Sequence, residues 1–352
     1  MEKIRIGITS GDINGIGLEV IIKSLLHEAI FHDIIPILYS NVKIASYHKN
    51  IVSADSASFY VLNPGEKPKA NKINIINCWN ENVTITLGKA TPEGGKFAIL
   101  ALEKAVEDAL KGELDAIVTA PINKQAMHLA GFEHLGHTDY LKEKSAVKDV
   151  LMIMASDKLK IGLVTTHIPI HKVVSSITKE GIIKKIEILE VTLRKDFGFE
   201  KPSIAVLGLN PHAGEEGLLG SEEEEIIRPA IIEAKKRGLF VAGPYPADGF
   251  FGSGQFKKFD AILAMYHDQG LIPFKTISFE KGVNYTAGLP FVRTSPDHGT
   301  AYDLAGKNEA DASSMTHALF MARDAVMERL SYDDMRKNVL RKRPKLSEEM
   351  SE

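Results

Sequence analysis

The sequence predicts an α/β protein whose sheets are mostly parallel, mixed in at least one place, and covered by helices. Short apolar runs of strand character alternate with amphipathic helical stretches along the chain, the pattern of parallel strands joined through helices. Two runs, 151–155 and 160–165, are separated only by a short polar turn holding Ser156 and Asp157. They read as a hairpin, which brings antiparallel pairing into the sheet. The length of 352 residues exceeds what one core usually serves and predicts two domains. No Gly/Ser/Pro-rich linker marks a border, so the chain is expected to cross between domains more than once.

In chain order, strands are expected at 4–9, 34–39, 58–62, 73–76, 116–119, 151–155, 160–165, 203–209, 240–242 and 261–265. Each is a short apolar or alternating run. Helices are expected at 18–28, 96–111, 138–144, 178–194, 222–237 and 314–330, where apolar residues recur with helical spacing. Thr138 is a plausible N-cap for the third. The four glutamates Glu222–Glu225 open the fifth, where they complement the helix dipole. Residues 341–352 are highly charged and read as a frayed end; the basic run 336–345 reads as a solvated face.

Composition narrows the function. Hydrophobic content of 44% and charged content of 25% are those of a globular protein. A net charge of −3 is too weak to imply nucleic acid or an acidic membrane as partner. The single cysteine, Cys78, can form neither an internal disulfide nor a zinc–thiolate cluster. No apolar run reaches the ~20 residues of a membrane span, and no signal-peptide block follows the N-terminus. The expectation is a cytoplasmic protein.

Three strand-like runs end in histidine: His167 after 161–166, His212 after 204–211 and His267 after 261–266. In a parallel sheet, the carboxyl ends of strands collect where ligands bind. Three imidazoles delivered there could hold one divalent ion and leave a position open for substrate. The plainer alternative is that each merely ends its strand. The loop Gly11-Asp12-Ile13-Asn14-Gly15-Ile16-Gly17 is neither a dinucleotide fingerprint nor a P-loop; it reads as an anion-binding turn or as a plain tight one. Gly136-His137-Thr138 offers an imidazole and backbone amides together at a helix start, suited to phosphate or carboxylate. Asp248, just past a strand, reads as a metal-site carboxylate or a turn cap. Lys275, Asn284 and Arg293 lie in a stretch otherwise apolar or small. Two cations there fit a phosphorylated, carboxylated substrate.

These segments, with Thr119-Ala120-Pro121-Ile122-Asn123-Lys124, Gly208–Glu215, Gly288-Leu289-Pro290 and Asp297-His298-Gly299-Thr300-Ala301, stand in order over about residues 4–320. Together they resemble the 4-hydroxythreonine-4-phosphate dehydrogenase family. The segment from Asp297 to Lys307 also resembles the nucleotide loop of isopropylmalate and isocitrate dehydrogenases. The resemblance implies that fold: two α/β/α domains with a central cleft and NAD bound without a Rossmann fingerprint. The expected division is 1–130 plus 295–352 for nucleotide, and 131–294 for substrate, metal and dimerisation.

Residue by residue, the resemblance implies that His167, His212 and His267 hold a divalent metal (zinc, magnesium, cobalt or manganese), one of them supplied by the partner in a homodimer. His137, Thr138, Lys275, Asn284 and Arg293 would contact substrate. Gly299, Thr300, Ala301 and Asp303 would lie along NAD, with NADP as the alternative cofactor. Lys275 and Asp248 are the catalytic candidates, Lys275 as proton shuttle. The implied reaction oxidises a phosphorylated hydroxy-amino acid; the β-keto acid then loses carbon dioxide to give an amino-ketone phosphate for pyridoxal phosphate synthesis. The chain departs from the family with Ile13-Asn14 for Pro-Ala, Leu18 for Pro, and Asp311 where an Asn is common. Rival readings are a dehydrogenase of 4-phospho-D-threonate or D-erythronate, a zinc hydrolase, and a non-catalytic metal-binding protein.

Overall fold

The computed structural model describes residues 3–337. The first part of the chain runs β1 (Ile4–Thr9), α1 (Gly17–Ser24), α2 (Ile30–Asp33), β2 (Ile34–Ser40), α3 (Val42–Ile51), β3 (Phe59–Val61), β4 (Ile73–Asn77), α4 (Pro92–Leu110), β5 (Ala116–Thr119) and α5 (Lys124–Leu129). The middle follows with α6 (His137–Lys144), β6 (Leu151–Ala155), β7 (Lys160–Leu163), α7 (Ile170–Ser176), α8 (Lys179–Asp196), β8 (Ser203–Leu207), α9 (Arg228–Lys236) and β9 (Phe240–Tyr245). The chain closes with α10 (Ala247–Gly252), β10 (Ala261–Ala264), α11 (His267–Ser278), β11 (Val283–Ala287), β12 (Val292–Pro296) and α12 (Ser313–Lys337). The α/β class, the helix cover and the hairpin are as the sequence predicts.

Among the described residues all the strands join one mixed sheet, in the order β3-β4-β2-β1-β5-β12-β11-β6-β7-β10-β8-β9. From β3 to β12 every pair is parallel. From β7 to β9 the pairs are parallel again. Between these blocks β11 and β6 run antiparallel to their neighbours, so the two parallel blocks point in opposite directions.

β11 and β12 form the seam, and the sequence reading does not anticipate them. Val283-Asn284-Tyr285-Thr286-Ala287 and Val292-Arg293-Thr294-Ser295-Pro296 look too polar for central strands. They are strands because ladder pairing satisfies their backbone on both sides: Asn284 lies opposite Met154 and Ser295, and Arg293 opposite Ile117. The intervening turn uses Gly288 at φ 92°, a conformation natural to glycine.

The core is aliphatic. Ile6, Ile8 and Val118 in the sheet, and Leu18, Ile21, Leu102 and Leu319 on covering helices, are fully buried. A smaller cluster around Met154, Ile161, Leu207, Phe250 and Phe274 fills the other block. The expected helix at 222–237 is two pieces, a π-helical turn Glu223–Ile227 and then α9. Residues 341–352, and the basic run beyond Lys337, lie outside the described residues. No described helix is long and apolar enough to cross a membrane.

Candidate active site

β7, β10 and β8 are adjacent and parallel, so the runs leading to His167, His267 and His212 leave the sheet at one edge. The first two stay together. Val164 and Thr165 donate their amides to the carbonyls of Ala264 and Met265, and the Thr165 hydroxyl also reaches Met265. The rings of His167 and His267 then lie 5.6 Å apart between centroids, at a depression of about 280 Å³ that Thr166, Ile170, Val173 and Tyr266 also line. Asp268 Oδ1 is 2.7 Å from His267 Nδ1; with the proton on Nδ1, the other ring nitrogen is free to ligate. Partial burial, then the charges of Lys124 and His267, hold His167 below its ordinary range, which keeps its lone pair available. This donor pair fits a borderline divalent ion.

His212 is exposed on a different path. It opens a left-handed turn, with His212, Ala213, Glu215 and Glu216 all at positive φ, a conformation that costs roughly 1–2 kcal/mol per non-glycine residue. No group of three metal-capable side chains gathers among the described residues of one chain. The turn is held from below by Glu223, fully buried, whose carboxylate accepts from the amides of Leu209 and Asn210, both at 2.7 Å, and from Asn210 Nδ2. Glu223 is therefore a loop anchor, a role the reading of Glu222–Glu225 as dipole acids misses. Asp248, at the start of α10, is exposed, and its helix packs against the His212 turn.

A second cluster forms across the seam. Arg293 is 2% exposed. Its guanidinium donates to Thr286 Oγ1 at 2.9 Å and Thr119 Oγ1 at 2.6 Å, and lies 3.4 Å from His137 Nδ1. Its Nε finds no partner, and neither do His137 Nε2 or Asn284 Oδ1. No described carboxylate pairs with Arg293, and burial pushes it down to about 10. His137 is pushed well below its ordinary range by burial, then by Arg293 and Lys124. It begins α6, whose N-cap Gly136 offers no side-chain cap, so the first amides, Thr138 included, remain donors. Asn284 and Thr286 alternate onto one face of β11. Lys275, on α11 two turns after His267, pairs with the half-buried Asp297 at 3.4 Å. Buried cationic and hydroxyl donors with no built-in anion make a receptor for phosphate or carboxylate.

The loop after β12 backs onto the first glycine loop. Thr300 O accepts the Ile16 amide, Tyr302 Oη donates to Asp12 Oδ2 at 2.5 Å, and the Gly306 amide donates to Glu19. A Cβ on Gly15 would lie 2.8 Å from Thr300 O. The glycines of the 11–17 loop therefore serve close backbone packing, as a tight turn requires. Asn14 is buried and bonds Thr86 N and Thr91 Oγ1, tying the first loop to the segment before α4. Asp311 caps α12 through Ser313. On the outer side, Gly299 and Asp303 are exposed, with Thr300 and Ala301 half-buried.

Two further residues stand at the site that the sequence does not single out, Lys124 and Gln269. The Lys124 Cε is 3.5 Å from where a Cβ on Gly136 would stand, over the start of α6.

Fold and site together define an α/β enzyme for a small anionic substrate. Residues 28–322 match the family model described as pyridoxal phosphate biosynthetic protein PdxA. A 4-hydroxythreonine-4-phosphate dehydrogenase of Bacteroides thetaiotaomicron is 48% identical over 97% of this chain and 94% of its own length. The crystal structure of the 4-hydroxythreonine-4-phosphate dehydrogenase from Klebsiella pneumoniae superposes with a TM-score of 0.80 at 36% identity, covering 93% of this chain and 98% of that one. An Oceanobacillus iheyensis relative, 41% identical over 91% of this chain, carries a D-threonate 4-phosphate dehydrogenase name. The chain belongs to the PdxA family of pyridoxal phosphate biosynthesis, an oxidoreductase family of 4-hydroxythreonine-4-phosphate dehydrogenases, as the sequence motifs imply.

Proposed function

We propose that this chain is a cytoplasmic, homodimeric, NAD-dependent dehydrogenase that oxidises and decarboxylates 4-hydroxythreonine 4-phosphate. The observation that carries the substrate class is Arg293, a buried guanidinium with hydroxyl partners and no described carboxylate. An isolated buried cation costs several kcal/mol, and the phosphate or carboxylate of the substrate supplies its missing counter-charge. His137, neutral at physiological pH, and the amides at the start of α6 donate to the same group, and Asn284 orients it. Lys275, held by Asp297, is in this reading the proton shuttle: it gives its ammonium proton to solvent, takes the proton of the substrate alcohol as the free amine, and returns it later.

His167 and His267, with His212 of a second copy, would hold a divalent ion; zinc, magnesium, cobalt and manganese are the candidates. Such an ion supplies Lewis acidity at the alcohol oxygen and at the charge left by decarboxylation. Among the described residues of one chain only His167 and His267 pair, with no third metal-capable side chain completing a group, which is what a ligand set shared between subunits would leave. Gly299, Thr300, Ala301 and Asp303 would flank NAD, with NADP as the alternative, and the division into 1–130 plus 295–352 and 131–294 belongs to the same reading. Asp248, beside the His212 turn, would serve the partner's site.

The decisive experiment follows NADH formation from 4-hydroxythreonine 4-phosphate and from D-threonate 4-phosphate in parallel. Higher kcat/KM on the first supports the proposal. Turnover of the second alone replaces the substrate, and no NADH from either overturns the reading.

A further inference from the structure

The chain from Gly208 to His212 leaves the sheet beside β10 and then enters a left-handed turn. Side chains from outside this segment decide where it goes. One is Glu223, described above. Glu222 adds a bond from Asn210 Nδ2 at 2.7 Å, and a third is Gln269, half-buried in the first turn of α11. Its Oε1 accepts the Met265 amide at 2.7 Å, and its Nε2 donates to Gly208 O at 2.6 Å. Met265 lies two residues before His267, and Gly208 four before His212. One carboxamide therefore ties together the ends of two strands that each deliver an imidazole. Glutamine suits this role because it offers one acceptor and two donors on one rigid plane. The tie is independent of the backbone bond from Gly208 N to Tyr245 O, which reaches β9 on the far side.

We propose that Gln269 is a positioning residue that fixes the His212 loop against the His267 loop, so that the imidazole a subunit keeps and the imidazole it lends move as one body. The metal half of this inference rests on the ligand set proposed above; the mechanical half does not.

The test uses the full-length dimer and three variants. Gln269→Met keeps the side-chain volume and removes both bonds. Gln269→Glu keeps the acceptor for Met265 but turns an oxygen toward the Gly208 carbonyl, cutting only the cross-strand half. Tyr285→Phe breaks the buried bond to Asp196 and serves as a comparator for lost stability alone. In metal-free protein, hydrogen exchange across 205–218 should accelerate in both Gln269 variants and stay unchanged in Tyr285→Phe. Zinc affinity, measured by competition with a chromogenic chelator, should fall about 10- to 100-fold in Gln269→Met, the usual cost of losing an outer-shell support, and stay unchanged in Tyr285→Phe. Wild-type exchange across 205–218 in the Gln269 variants overturns the proposal, as does unchanged zinc affinity in Gln269→Met. Zinc binding that is indifferent to His267→Ala overturns the metal assignment instead, and the exchange measurement separates that failure from failure of the tie.

Discussion

At the scale of single residues, the site is defined by groups whose needs the chain itself leaves unmet. Arg293 is the sharpest case, and it predicts a conflict between stability and activity. Arg293→Met should raise the Tm of the ligand-free protein by a few degrees, because an uncompensated buried charge is replaced by an apolar chain of similar volume. The same change should raise KM for the phosphorylated substrate roughly 10- to 100-fold, the worth of hydrogen bonds to a charged group, while Lys257→Ala leaves it alone. A lower Tm with unchanged KM would remove Arg293 from the site. His48 sets a separate, structural prediction. It is fully buried beneath the first loop, 2.9 Å from Ile13 O, and burial pushes it down to about 4, against about 6.5 in an unfolded chain. Below pH 6.5 the unfolded chain takes a proton that the folded one refuses. Stability from this group is thus complete above pH 6.5 and lost as the pH falls to 4, by about 3 kcal/mol. Urea midpoints measured from pH 7 to 4 should fall less steeply in His48→Gln than in the wild type.

At the scale of elements, the backbone amides that lead into the His212 turn are held by one buried carboxylate, Glu223. Glu223→Ala strands the amides of Leu209 and Asn210 without an acceptor and should cost about 2–4 kcal/mol, read from urea unfolding; Glu223→Gln, which keeps one oxygen in place, should cost less. This anchor also shows where sequence reading stops. The run Glu222–Glu225 looks like an ordinary acidic helix start because nothing local marks one of four glutamates as buried; its partners lie 13 and 14 residues back, at Asn210 and Leu209. Periodicity finds β1, β5 and β6 to the residue, because their apolar pattern and their burial agree. It overlooks β11 and β12 because Asn284, Thr286, Arg293, Thr294 and Ser295 break the apolar run that a strand buried on both faces would otherwise carry. It also overlooks α11, where Gly270 and Pro273 dilute the helical signal. The candidate residues themselves were legible as motifs. Which of them meet was not, since His137 and Arg293 are 156 positions apart and only the folded sheet brings them to 3.4 Å.

At the scale of the whole molecule, the assembly is the largest open prediction. His212→Ala and His267→Ala homodimers should each be inactive. Dissociated, mixed and reassembled, they should recover about a quarter of wild-type turnover: random pairing makes half the dimers mixed, and each mixed dimer has one complete site of two. Recovery no greater than the sum of the parents would show that the three histidines are not shared in this way. The seam carries a last consequence. β11 and β6 carry the hydrogen-bond ladder between the two parallel blocks of the described sheet, and the uncompensated guanidinium, on β12 and bonded to Thr286 of β11, sits where that ladder begins. An anion bound there, as proposed, would act as a keystone, supplying the missing counter-charge beside the joint where both halves of the molecule meet. Occupancy of that small site is then expected to slow hydrogen exchange in both blocks rather than in one alone.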